Sequence, residues 1–292
     1  MLRLLLVVTA VAGAGLAQAP RPDLLVSTAD LARQLNDPAL VVLHVADRES
    51  SFTEGHIPGA SFVRYGDVAV DGDGHVGSEL PPIDALRRVF EAAGVSDNTR
   101  VVIYGASTVA AARAFFTLDV VGHPRVALLD GGFTAWKGEG RAVEAGRALS
   151  AKRGTFTPKL NVARVADAVF IQQQMAASGI SLLDIRPDAE YLGTDAGMGA
   201  MHTPGHIPGA RQLPWNTLVR EDGRFLSPPE LEAKLRAAGV ATGKPVVTYC
   251  MVGMRASVAY FVARYLGYDA RLYDGSIMDW TQRKLPTTTG RQ

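Results

Sequence analysis

One thiol in this chain stands where it could react. Cys250 is the only cysteine among 292 residues, and it closes the apolar run Pro245-Val-Val-Thr-Tyr-Cys250. A short loop, Met251-Val252-Gly253-Met254, follows, and Arg255 then opens an apolar helix, Ala256 to Leu266. A sulfur at that turn meets converging backbone N–H groups and the positive end of a helix dipole, which favours a thiolate or a bound anion. Free cysteine titrates near ~8.5, and a helix N-terminus beside a cation lowers that value. A buried inert thiol is the ordinary alternative. Glycine inside the loop and arginine at its end favour a reactive one. A second basic group, Arg186, ends another apolar run, Ile180 to Ile185, at the edge where open parallel sheets bind ligands. Its planar fork suits a sulfonate-like or carboxylate oxygen pair. Asp184 and Glu190 are the acids able to support it, or to occupy it as plain ion-pair partners.

The elements that must position these groups occur twice. Gly55-His-Ile-Pro-Gly-Ala60 recurs as Gly205-His-Ile-Pro-Gly-Ala210, and Val101-Val-Ile-Tyr104 as Val246-Val-Thr-Tyr249. Ala92-Ala-Gly-Val95 recurs as Ala237-Ala-Gly-Val240, and the Asp130-Gly-Gly to Trp136 segment as Asp274-Gly-Ser to Trp280. Ordered matches at one offset mean two copies of one unit. In each copy short apolar runs alternate with helical segments. Leu40 to Val45, Val101 to Tyr104, Val126 to Leu129, Ile180 to Ile185, Val246 to Tyr249 and Ala270 to Tyr273 read as strands buried on both faces. Ser27 with Asp30 reads as a helix-capping pair. The expected fold class is α/β: two units, each a parallel sheet flanked by helices on both faces. The expected boundaries are 21–140, a linker over 141–160 and a second unit over 161–290.

Only the second copy is armed. Tyr104-Gly105 stands opposite Tyr249-Cys250, and Leu43-His-Val-Ala46 opposite Leu183-Asp-Ile-Arg186, so thiol, acid and arginine are all missing from the first. That copy is expected to be structural, forming one wall of a cleft. His56 and His206 persist in both copies, which favours a role in fixing the Gly-His-Ile-Pro-Gly turn over acid–base chemistry. Trp136 and Trp280 are core anchors by the same reasoning.

The duplicated layout, both Gly-His-Ile-Pro-Gly-Ala motifs, Asp184-Ile-Arg186 and the loop Cys250 to Arg255 together resemble the tandem rhodanese family of sulfurtransferases. The resemblance runs from about Leu25 to Trp280. It implies a catalytic Cys250 that takes a sulfane sulfur as a persulfide and hands it to cyanide or a thiol. It also implies donor contacts from Arg186, Arg255, Met251, Val252, Gly253 and Met254, with Asp184, Glu190 and His206 in support. Thiosulfate is the expected donor. Enzymes of this fold that use 3-mercaptopyruvate resemble Cys-Gly-Ser-Gly-Val in the loop and carry a further arginine where this chain has Leu192. The loop also lacks the lysine of the best-known thiosulfate enzymes, a charge that Arg255 could replace. Cysteine phosphatases of related folds place five residues between cysteine and arginine, and here there are four. A non-catalytic sulfur carrier is the remaining alternative.

Composition excludes other classes. Thirty Lys and Arg against 29 Asp and Glu give a net charge of +1, which suits neither nucleic acid nor an acidic membrane surface. Six histidines show no metal-ligand spacing, so neither metal nor cofactor is expected. Met1-Leu-Arg3, the apolar run Leu4 to Leu16 and Gly15-Leu-Ala17-Gln-Ala19 read as an export signal over residues 1–19. The run is short of the ~20 residues that span a bilayer. A periplasmic or secreted protein, without stable membrane insertion after cleavage, is the expectation.

Overall fold

The computed structural model describes residues 19–71, 77–147, 152–195 and 204–291. The expected export signal therefore lies outside the described residues except for Ala19. Strand and helix alternate through both copies. The first holds β1 (Leu25–Val26), α1 (Thr28–Gln34), β2 (Leu40–Ala46), α2 (Ser50–Thr53), β3 (Ser61–Arg64), α3 (Ile83–Ala92), β4 (Arg100–Gly105), α4 (Thr108–Val120), β5 (Val126–Leu129) and α5 (Gly132–Gly138). The second repeats the plan with β6 (Val165–Ala166), α6 (Ala168–Ala176), β7 (Ser181–Asp184), α7 (Asp188–Leu192), β8 (Arg211–Gln212), α8 (Pro228–Ala237), β9 (Val246–Tyr249), α9 (Ala256–Tyr265), β10 (Ala270–Tyr273) and α10 (Ser276–Gln282). The sheets run β1-β5-β4-β2-β3 and β6-β10-β9-β7-β8. All their paired strands are parallel. The protein is thus an α/β pair of five-stranded parallel sheets with flanking helices.

Local chemistry sets the element ends. Ser27 caps α1 by accepting from the Asp30 N–H at 3.0 Å. A reciprocal capping box opens α8, where Glu230 accepts from the Ser227 N–H at 2.8 Å. The repeated histidine turn is built identically twice. His56 Nδ1 lies 2.9 Å from Phe52 O, His206 Nδ1 2.8 Å from Tyr191 O, and each ring stacks at 3.7 Å on that residue's ring. The Ile57 and Ile207 N–H groups donate to the Tyr104 and Tyr249 hydroxyls, both at 3.0 Å. Trp136 and Trp280 donate to Ala142 O at 2.7 Å and to Pro286 O at 2.8 Å.

Helices α4 and α9 are apolar nearly all round because they bury each other as well as their own sheets. Phe115 meets Phe261, and Phe116 meets Tyr260, edge to face at 5.0 Å each. Such pairs add about 0.5–1.5 kcal/mol beyond their burial. Asp119 closes the contact, accepting from the Tyr260 hydroxyl at 2.5 Å and from Arg264 Nε at 2.9 Å. Within the segment read as a linker, residues 152–160 form a strap laid over the first copy. Its Phe156 is buried, and the Phe156 N–H and Arg153 both reach Glu91.

Candidate active site

Cys250 follows β9 directly, and the loop after it is clamped from below by the start of α10. The Cys250 N–H donates to Ser276 Oγ at 3.1 Å, and the Ile277 and Met278 N–H groups donate to the carbonyls of Cys250 and Met251 at 3.2 Å. Ser276 sits at φ +53°, where the first copy has Gly132 at the same φ. Its hydroxyl offsets that strain by bonding both Cys250 N and, at 2.9 Å, Tyr273 O. Gly253 turns the loop at φ +85°, and a Cβ there would lie 2.5 Å from Asp274 O, so no side chain fits. Among the described residues, the N–H groups of Met251, Val252, Gly253 and Met254 donate no hydrogen bond. They make the loop that follows Cys250, a residue only 1% exposed, a cradle of unused donors.

Arg255 caps α9 and is held by α7: its Nη1 and Nη2 donate to Glu190 Oε1 and Oε2 at 2.7 and 2.8 Å. Burial works against the Arg255 charge, but Glu190 and the neighbouring Cys250 sulfur outweigh it and keep the guanidinium above its ordinary value. A quarter of its side chain remains exposed (25%), so Arg255 is the loop cation that an incoming anion can meet.

Arg186 lies elsewhere than expected. Residues two apart along a strand point to the same face, so Arg186, just past β7, folds back on Asp184. Its Nε donates to both carboxylate oxygens at 3.0 and 3.1 Å, and its Nη2 to Asp184 Oδ2 at 2.6 Å and Gly205 O at 2.8 Å. The side chain has no exposed surface and lies 5.9 Å over the Tyr249 ring. Arg186 therefore braces the β7 end and the histidine turn from inside the core, away from the crevice. His206 joins the same buried network, and burial lowers its pKa.

Sequence reasoning gave the first copy a wall of the cleft but missed the residues it contributes. Arg113 on α4 is wholly buried; its Nη1 bonds Asp274 Oδ1 at 2.5 Å and comes within 3.3 Å of the Cβ position at Gly253. The Leu80 N–H reaches the other Asp274 oxygen at 2.8 Å. Tyr65, bonded to Ser78 at 2.8 Å, is close enough to feel both Arg113 and Cys250. Burial raises its hydroxyl pKa, with Ser78 and Arg113 opposing and Cys250 adding to the rise. One signal was available: Arg113 is the only charged residue in the apolar stretch 109–118. The mirror contact exists in the unarmed copy, where the Phe225 N–H donates to Asp130 at 2.9 Å beside a cavity of about 110 Å³ lined by Gly105, Ser107 and Phe133.

Comparison with known proteins places this geometry. A family model described as Rhodanese-like domain matches residues 27–139 and again 168–283. The sulfur carrier protein TtuD of Thermus thermophilus is 32% identical over 277 residues, covering 89% of this chain and 94% of that one. A Mycobacterium tuberculosis protein named "Putative thiosulfate sulfurtransferase SseB" is 31% identical over 278 residues, with 94% and 93% covered. Among solved structures, SseA of Escherichia coli, described with the fold and mechanism of 3-mercaptopyruvate sulfotransferases, superposes with a TM-score of 0.77. It is 27% identical, with 86% of this chain and 98% of that one covered. YnjE superposes at 0.82 with 26% identity, over 92% of this chain and 68% of that one.

Proposed function

The chain belongs to the rhodanese-like family of sulfurtransferases, and on that premise we propose that it moves a sulfane sulfur from thiosulfate to cyanide or a thiol through a Cys250 persulfide. The observation that carries this reading is a buried thiol at the head of a loop whose next four N–H groups donate no hydrogen bond among the described residues, with Arg255 at the head of α9. The Cys250 thiolate attacks the outer sulfur of thiosulfate. The S–S bond of the donor breaks, and its electron pair leaves with sulfite. Loop N–H groups and Arg255 carry the charge that develops on the departing oxygens and on the persulfide, in the manner of an oxyanion hole. Cyanide or an acceptor thiolate then attacks the terminal sulfur, and the electron pair of the Cys250 S–S bond returns to Sγ.

Thiosulfate is preferred to 3-mercaptopyruvate in this reading. A planar carboxylate and ketone call for a second arginine grip, and Leu192 offers apolar contact only. Side-by-side kinetics with both donors test it, and a higher kcat/KM for mercaptopyruvate would overturn the donor assignment. We also propose that the chain is exported, from its basic start, apolar run and small-residue end. Fractionation and N-terminal sequencing of the mature protein test that. Among the described residues no helix is long and apolar enough to cross a membrane.

A further inference from the structure

Three arginines, one in the core, one at the interface between the copies and one on the cysteine loop, are each neutralised by one acid. Arg186 faces Asp184, Arg113 faces Asp274 and Arg255 faces Glu190. In the first two pairs the arginine is wholly buried, and there the acid is the condition for burying the arginine at all. The third differs. Arg255 keeps a quarter of its side chain in solvent, and Glu190 is the less exposed partner, at 11%. Water therefore reaches the same guanidinium fork that Glu190 holds. Glu190 takes both terminal nitrogens of the fork, the same bidentate geometry that a sulfonate would use.

We propose that Glu190 is a specificity-determining residue: an internal competitor that occupies Arg255 and holds back small anionic donors. It rests on the sulfurtransferase reading of Cys250. An incoming anion must exchange with Glu190 for the Arg255 fork, or share that fork, before it reaches the thiol. The negative charge also lowers the potential that anions meet at the loop mouth. Coulomb work scales with the charge of the ligand, so thiosulfate, a dianion, loses more than mercaptopyruvate, a monoanion. The charged and titratable groups set around Cys250 are Arg255 and Glu190 from the α9 and α7 side, with Arg113, Tyr65 and Asp274 from the interface between the copies. Of these, Glu190 is the acid that contacts the solvent-reaching cation.

Glu190→Gln tests this, since the amide is isosteric and its oxygen still accepts from Arg255. Taking a separation of ~7 Å between Glu190 and the anion, and a dielectric close to that of water at the solvent-reaching mouth, the loss of one unit charge changes a monoanion about threefold and a dianion about tenfold. Thiosulfate kcat/KM should rise about tenfold, through KM, and mercaptopyruvate kcat/KM about threefold. A readout independent of turnover is the rate of Cys250 alkylation by anionic iodoacetate divided by that by neutral iodoacetamide. The thiolate fraction cancels in that ratio, which should rise about threefold in the variant. An unchanged or lower ratio, or a raised thiosulfate KM, would make Glu190 a support for Arg255 and overturn the proposal. A raised ratio without sulfur transfer would instead leave the electrostatics standing and remove the sulfurtransferase reading.

Discussion

Arg113→Leu should damage a site whose nucleophile lies in the other copy. The pair it breaks is buried on both sides, with Arg113 0% and the Asp274 side chain 12% exposed, and its Nη1–Oδ1 distance is 2.5 Å. Removing one partner of such a pair costs about 3–5 kcal/mol, because the other charge is left without compensation. Asp274 would keep only the Leu80 N–H. For a chain of this size that corresponds to a melting point lower by about 6–20 °C. Asp274→Asn should cost a similar amount by stranding Arg113. The double variant Arg113→Leu/Asp274→Asn removes both charges and should be less damaged than the sum of the two singles. Urea denaturation of all four proteins measures this as a coupling energy, expected at about 2 kcal/mol or more. Because the two residues are 161 positions apart and in different copies, the coupling reports the interface itself. Thiosulfate turnover should fall in each single variant, since the backbone of Asp274 also abuts Gly253 in the cradle. Costs that add to within about 0.5 kcal/mol would refute the claim that the unarmed copy holds the cradle through this pair.

Arg186→Ala should lower stability by about 3–5 kcal/mol by leaving the buried Asp184 charge without its cation, with the backbone N–H of position 186 still donating to it. A raised donor KM with an unchanged melting curve would return Arg186 to donor binding. His44 makes acid stability steeper: burial, with His56 adding, pushes it down to about 4 from 6.5, and neither ring nitrogen has a hydrogen-bond partner among the described residues. The unfolded chain binds that proton below about pH 6.5 and the folded chain resists until about 4, so stability should fall as pH drops through this window. Urea midpoints at pH 7 and 4.5 should differ less in His44→Phe than in the parent; an equal difference would remove His44 as the cause.

Much of the fold could be read before the coordinates. Val126–Leu129, Val246–Tyr249 and Ala270–Tyr273 form strands with the expected ends, because runs of branched apolar residues bounded by Gly, Pro and charged residues suit a sheet covered on both faces. Duplication supplied the rest, since a residue kept in both copies, such as His56 with His206, could be assigned to scaffolding. The same comparison hid Asp274. Its counterpart Asp130 is also kept, yet of the two Asp274 is the one that pairs with a buried arginine, because position 113 is basic in the first copy while its counterpart in the second is Val258. Arg186 was misplaced for a different reason. Spacing put it at the crevice edge, but the shared strand face with Asp184 decided its direction. The strap over 152–160 reads as a linker in the sequence, and the buried Phe156 and the Glu91 contacts reveal that it is docked.

The sulfur on Cys250 is the most direct test of all. Protein incubated with thiosulfate and then digested should carry about +32 Da, the mass of one sulfur, on the peptide containing Cys250. Cyanide should remove that mass with release of thiocyanate, and Cys250→Ser should neither gain it nor turn over, since a serine hydroxyl is not ionised near neutral pH. An unmodified Cys250 peptide after thiosulfate, or turnover that survives Cys250→Ser, would contradict the persulfide route.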